Sequence, residues 1–182
     1  MKTILSTLIL ACLFSTTGCS NKVIPLQHTY QDGPYQFSVS LTKDDIWTKL
    51  VEALTSKGLA VQTIDKNTGL ISTGNISFLN AYSFEDKEGN LSNPGSLVVC
   101  TKVRGPFTFN SSIKPDSVMG QWTVLTKQTD GKTLIAIRLV NAYGKIVVEE
   151  NDIYGKSASR ETHHLGVKST GVFEKSVEAA FK

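Results

Sequence analysis

Cysteine and histidine are both scarce in this sequence, with three of each in 182 residues. Cys12, Cys19 and Cys100 lie far apart in unlike surroundings, so no internal disulfide framework is available. His28 stands alone. His163 and His164 are adjacent, which on a strand points them to opposite faces, so a shared metal is disfavoured and a solvated loop pair is expected. No apolar run reaches the roughly 20 residues with which a helix spans a bilayer. Charge of one sign is not concentrated either: 19 basic and 16 acidic residues leave +3 overall, and lysines alternate with acids in Lys43-Asp44-Asp45 and Asp86-Lys87-Glu88. Without a basic cluster, nucleic-acid binding has no support. No Gly-x-Gly-x-x-Gly run and no Gly-x-Ser-x-Gly elbow occurs, which disfavours dinucleotide binding and a serine nucleophile of that type.

The N-terminus has a character of its own. Lys2 supplies a positive start, and Ile4 to Phe14 form an apolar stretch of signal-core length. Ser15-Thr16-Thr17-Gly18-Cys19 follows and resembles the lipobox of bacterial lipoproteins, with small residues before Gly-Cys and Thr16 where that family usually has Leu. The resemblance implies that residues 1–18 are a leader, that the Cys19 thiol takes a diacylglycerol, and that Cys19 becomes the new N-terminus. One acyl chain binds weakly, at about 0.8 kcal/mol per buried methylene, whereas several hold durably. The family's inner-membrane retention signal is an Asp after the cysteine. Here that residue is Ser20, which implies an outer-membrane anchor with the domain facing the periplasm. Cys100 is then a lone thiol in an oxidising compartment, and burial in a strand is expected for it.

Residues 19–35 are polar, with Pro25, Gly33 and Pro34 and no apolar periodicity, and are expected to form a flexible tether. Residues 36–182 are long enough for a single domain with its own core. Phe37, Val39 and Leu41 alternate as in a half-buried strand. Thr42, with Asp45 three residues on, is placed to cap a helix whose Ile46, Trp47, Leu50, Val51 and Leu54 form one stripe, ended by Gly58. Leu59–Ile64 and Leu70–Thr73 read as a hairpin around Asp65–Gly69. Residues 75–94 mix aromatics with turn formers and receive no assignment. Leu97–Cys100 reads as a covered strand, and Gly105 to Gly120 as a loop.

The clearest hairpin is Gly120 to Asn141, because Asp130-Gly131 favours a two-residue turn. That turn sets Thr129 against Lys132 and brings Trp122, Val124 and Thr126 opposite Leu139, Ile137 and Ile135 on one face. Tyr143 to Gly155 stays open between strand and insertion, and Lys156 to His164 is expected to be polar and exposed. A last helix after Thr170-Gly171 carries Phe173, Val177, Ala180 and Phe181 on one face. Two amphipathic helices bracketing antiparallel strands predict a two-layer α+β fold.

The order of strand, Trp-bearing helix, strand, turn and strand over Phe37 to Thr73 resembles the helix-grip domains of BamC-type lipoproteins of the outer-membrane barrel-assembly machine. The carriers are Asp45-Ile46-Trp47, Leu50, Leu54, Gly58-Leu59, Val61, Asp65-Lys66 and Gly69 to Thr73. Lys168 to Glu174 is similar to a closing motif of small bacterial lipoproteins. Both likenesses imply core and turn positions and carry no catalytic signature.

Other constellations have simpler explanations. Asp44-Asp45 caps a helix, and Glu149-Glu150 suits an exposed strand end. Gly131-Lys132-Thr133 and Gly155-Lys156-Ser157 lack the leading glycine of a phosphate loop, since Thr126 and Glu150 stand there. Ser157-Ala158-Ser159-Arg160 lies in a polar stretch, and Trp47 and Trp122 sit in core stripes. No catalytic, metal-binding or cofactor-binding residue is assigned, and Cys19 is the one site residue. The expectation is a membrane-anchored, non-enzymatic module that contacts an envelope protein through a sheet edge or helix-side groove. A carrier of an apolar molecule between helix and sheet, or an envelope enzyme assembled only in three dimensions, are the alternatives.

Overall fold

A computed structural model of the protein describes residues 21–104, 113–151 and 157–182. The expected leader, Cys19 and Ser20 lie outside the described residues, as does 105–112 of the expected loop.

The longest pairing forms where the turn chemistry is strongest. Strand β9 (Ser117–Thr129) and strand β10 (Lys132–Asn151) are joined by Asp130 and Gly131, with φ of 49° and 76°. Two successive left-handed residues give the turn whose twist matches that of the flanking strands. Thr129 pairs with Lys132, and Trp122, Val124 and Thr126 pair with Leu139, Ile137 and Ile135, the register expected from the two-residue turn. Trp122, Val124, Ile135 and Ile137 are buried.

The remaining strands hang on this hairpin. Strand β2 (Tyr35–Val39) pairs with Thr133–Ile137 of β10, and strand β11 (Ser157–Leu165) pairs with β10 from Gly144 onward. On the other side, strand β4 (Leu70–Thr73) and the short β5 (Ile76–Ser77) pair with β9. Strand β3 (Val61–Asp65) pairs with β4 and ends the sheet, whose order is β11-β10-β9-β4-β3. At the break between β4 and β5, Thr73 Oγ1 accepts from the Trp122 amide at 3.0 Å, so a buried N–H keeps its partner.

Helix α1 (Lys43–Thr55) starts as its sequence predicts. Thr42 Oγ1 accepts from the Asp45 amide and donates to Asp45 Oδ2 at 2.6 Å. It ends around Gly58, at φ 71°, with the Leu59 amide donating to the Leu54 carbonyl at 3.1 Å. Helix α2 (Val172–Ala179) follows Gly171, at φ 83°, and buries Phe173, Glu174 and Val177. Ala180, expected on the buried face, lies past the helix end and is exposed.

Both helices share one core with the inner face of the sheet, giving a two-layer α+β architecture with a mostly antiparallel sheet. At its centre Trp122 stacks on Phe173, with centroids 4.2 Å apart, and meets the edge of Phe78 at 6.4 Å. Smaller sheets lie beside it. Strand β1 (Lys22–Ile24) pairs with β8 (Lys102–Arg104), and β12 (Val167–Ser169), β7 (Val98–Cys100) and β6 (Tyr82–Ser83) form a second group. Its β6–β7 pair is parallel.

Three further expectations are corrected and one open stretch is resolved. The segment read as a tether pairs with the domain from Lys22. The loop expected up to Gly120 ends earlier, since β9 begins at Ser117. The open stretch after Tyr143 continues β10 through a bulge, with Asn141 at φ 51°. Lys156 to His164 is not an exposed loop over its whole length: β11 starts at Ser157, and His163, Leu165, Val167 and Ser169 alternate inward across β11 and β12. Gly144 permits the β10–β11 pairing, because a Cβ there would lie 3.0 Å from Leu165 Cβ.

Trp122→Ala should cost about 3 to 5 kcal/mol in denaturant unfolding, through the cavity it leaves. Trp122→Phe should cost far less, since among the described residues the buried indole N–H has no hydrogen-bond partner and its removal relieves a desolvation penalty.

Candidate functional site

Among the described residues the sheet ends at β3, beside α1. Ile64 pairs with Ile71, so both point to the core face. Ile71 is fully buried, whereas Ile64 is 50% exposed. Among the described residues β3 has no partner on its outer side. Trp47, Val51 and Ile64 form the apolar walls of a shallow groove there of about 310 Å³, with Glu52 and Lys66 at its margin. An unpaired backbone edge next to an apolar trough is suited to taking up an extended segment.

The second feature is a clamp built on a buried carboxylate. Glu85 is 4% exposed. It accepts from the Gln27 amide at 2.6 Å, the His28 amide at 3.0 Å and the Tyr30 hydroxyl at 2.9 Å. The His28 Nδ1 lies 3.6 Å from it. Burial alone would raise its pKa, but these donors outweigh burial and hold the carboxyl below the ordinary glutamate value. Burial, together with the bond to Glu85, pushes the Tyr30 phenol up to about 12. Asp86 organises the adjoining turn by accepting from the Glu88 and Asn90 amides at 2.9 and 2.8 Å. That turn presents Gly89, at φ 87°, against the His28 ring, where a Cβ would approach to 2.3 Å. Asp32 pairs with Lys168, and the Tyr35 hydroxyl donates to Glu178. Polar atoms thus hold a segment that has no apolar periodicity.

The third feature is Glu174, in the first turn of α2. It is 4% exposed, and among the described residues its Oε2 has no hydrogen-bond partner. Burial raises its pKa, against the opposing effect of a Ser169 hydrogen bond and the Lys175 charge. It lines a cleft of about 490 Å³.

The residues singled out from sequence are dispersed. Cys19 lies outside the described residues. Cys100 is buried in β7, where desolvation pushes its thiol up to about 12. His163 is buried and His164 exposed, on opposite faces of β11 as adjacent strand residues must be. His163 Nε2 lies 3.2 Å from Glu161 Oε2 but makes no hydrogen bond among the described residues, and neither histidine lines the cleft or the groove. Asp44 and Asp45 lie in the first turn of α1, and Glu149 pairs with Arg160 at 3.8 Å. Lys132 opens β10 directly after the hairpin turn. Gly155 and Lys156 lie outside the described residues. Trp47 and Trp122 are core, and Trp47 also walls the groove.

Glu85, Glu174 and Tyr30 escaped the sequence reading. Single carboxylates in polar stretches carry no pattern that separates a clamp from a solvated surface. For His163 a signal existed, in the alternation of His163, Leu165 and Val167.

The clamp should depend on pH with a defined sign. Because Glu85 is held below its ordinary value of 4.5, its contribution is present above that pH and is lost as pH falls through the lower, folded-state value. Glu85→Gln should reduce hydrogen-exchange protection of the Gln27 and His28 amides by at least about tenfold at neutral pH, since bonds to a charged acceptor contribute about 1.5 to 3 kcal/mol. Unchanged protection would remove Glu85 from this role.

A scan of protein-family models and a search of curated proteins give no match to this chain.

Proposed function

We propose that this chain is a non-enzymatic lipoprotein, anchored in the outer membrane through Cys19, whose domain holds an extended segment of an envelope protein along β3. The supporting observation is the open edge of β3 beside the groove of Trp47, Val51 and Ile64. A segment added there gains main-chain hydrogen bonds, and every second side chain enters the trough below α1. Between helix and sheet, the stacked Trp122 and Phe173 occupy the space that a carrier of an apolar molecule would leave open.

The anchor and the clamp act together in this reading. Only Ser20 and Asn21 separate Cys19 from β1, a leash of roughly 10 Å at about 3.5 Å per residue. The domain is therefore held close to the lipid surface, and its edge is offered to partners at that surface.

Mass spectrometry of the protein extracted from host membranes should find an acylated N-terminal Cys19 peptide, and Cys19→Ser should move the protein to the aqueous fraction. A photo-crosslinking residue in place of Ile64 should give one discrete adduct with an envelope protein, while the same probe in place of Thr129 at the hairpin tip should not. An acyl-free processed chain contradicts the anchor, and equal labelling from both positions contradicts the edge.

A further inference from the structure

Both helices pack on the face of the main sheet that carries Trp122, Val124, Ile135 and Ile137. The residues that alternate with these on β9 and β10 therefore point away from the core. The bulge between Val140 and Tyr143 keeps this alternation in step, because Tyr143 and Lys145 pair with the outward Met119 and Ser117. From Ser117 to Val147, the outward positions of the two strands hold Lys127, Lys132, Arg138 and Lys145 and no carboxylate. None of these four makes an ion pair or a side-chain hydrogen bond among the described residues. Asp65, Asp116 and Asp130 stand at strand ends and turns on the margin of the face, and Glu149 pairs with Arg160 at 3.8 Å.

The same face exposes apolar surface. Leu125 is 47% and Tyr143 48% exposed, and Leu70, which pairs with Leu125, is partly exposed beside it. Cations interleaved with exposed leucine and tyrosine match an anionic lipid interface, where phosphates meet the cations and the headgroup boundary takes the apolar and phenolic groups. The path of the N-terminal chain favours lipid as the occupant. Asn21 Nδ2 donates to Glu161 Oε2 at 2.9 Å, and Glu161 lies on β11, the edge strand next to β10. Only Ser20 lies between Cys19 and Asn21, so the anchor proposed on Cys19 sits within roughly 7 Å of Asn21 at about 3.5 Å per residue. Lys145 and Tyr143 lie on the strand adjacent to that edge.

We propose that the outward face of β9 and β10 lies on an anionic phospholipid surface, with Lys127, Arg138 and Lys145 on headgroup phosphates and Leu125 and Tyr143 at the headgroup boundary. The choice of lipid over an acidic protein rests on the Cys19 anchor. The face itself rests on register, exposure and charge. In this pose β3, at the far edge of the same sheet, stays open to a partner along the membrane plane.

Vesicle sedimentation of the acyl-free mature chain carrying Cys19→Ser tests the face without the anchor. Vesicles of phosphatidylglycerol and phosphatidylcholine in equal parts should pellet the chain at low ionic strength and release it at high salt, and pure phosphatidylcholine should leave it in solution. Arg138→Gln and Lys145→Gln should each weaken binding about fivefold, the factor equivalent to about 1 kcal/mol per cation at an anionic surface. Lys57→Gln removes the same charge from the exposed turn after α1 and should have a far smaller effect. Tyr143→Ser should also weaken binding, which a purely ionic contact of the kind an acidic protein makes would not show. No pelleting with anionic vesicles, equal pelleting with neutral ones, an unchanged Tyr143→Ser, or a loss in Lys57→Gln as large as in Arg138→Gln overturns the proposal. A native chain that proves acyl-free but still pellets with anionic vesicles removes the anchor and keeps the face.

Discussion

The β9–β10 hairpin is the constraint on which the rest of the structure depends. Its two strands, of 13 and 20 residues, are locked in register by two consecutive left-handed residues at Asp130 and Gly131. A slip of one strand past the other by one residue would turn that strand's buried set, Trp122 and Val124 of β9 or Ile135 and Ile137 of β10, to solvent. Because register and burial reinforce each other, the hairpin offers fixed edges to β2 and β11 on one side and to β4 and β5 on the other. It also sets Trp122 beneath Phe173, so the closing helix has one place to dock.

The features that lie away from this hairpin use polar atoms instead of apolar periodicity. Glu85 gathers two amides and a phenol from residues 27–30, Asp32 meets Lys168, and Tyr35 meets Glu178. A segment that reads as solvated linker is thereby drawn onto the domain. Under the lipid anchor proposed on Cys19, the same contacts would keep the domain beside the membrane and would offer the groove at the β3 edge to a neighbouring chain.

This division explains what was legible in the sequence. The hairpin, the cap at Thr42, the turn at Gly58 and the burial of Cys100 all follow from local rules that act over a few residues, and each is found where those rules put it. The position of β1 is set by pairing with β8 across a long sequence separation, which leaves no local trace in Lys22-Val23-Ile24. The β11 strand was obscured because its exposed residues Glu161, Thr162 and His164 are polar, which suggests a loop, while its inward His163 is itself polar. Within the candidate sites the apolar members, Trp47 and Val51, were visible as part of a stripe. Their exposure to a groove depends on the sheet ending at β3, a fact of topology. The cleft at Glu174 arises from a gap between β2 and β11 on the same edge of β10, and no window of sequence contains both.

Native-state hydrogen exchange across the whole chain tests the central role of the hairpin most directly. The amides paired between β9 and β10 from Trp122 to Thr126 and from Ile135 to Leu139 should exchange last, through global unfolding alone, with β3 and residues 22–30 opening earlier. Hairpin amides that exchange as fast as those of β3, while other elements remain protected, would contradict the account.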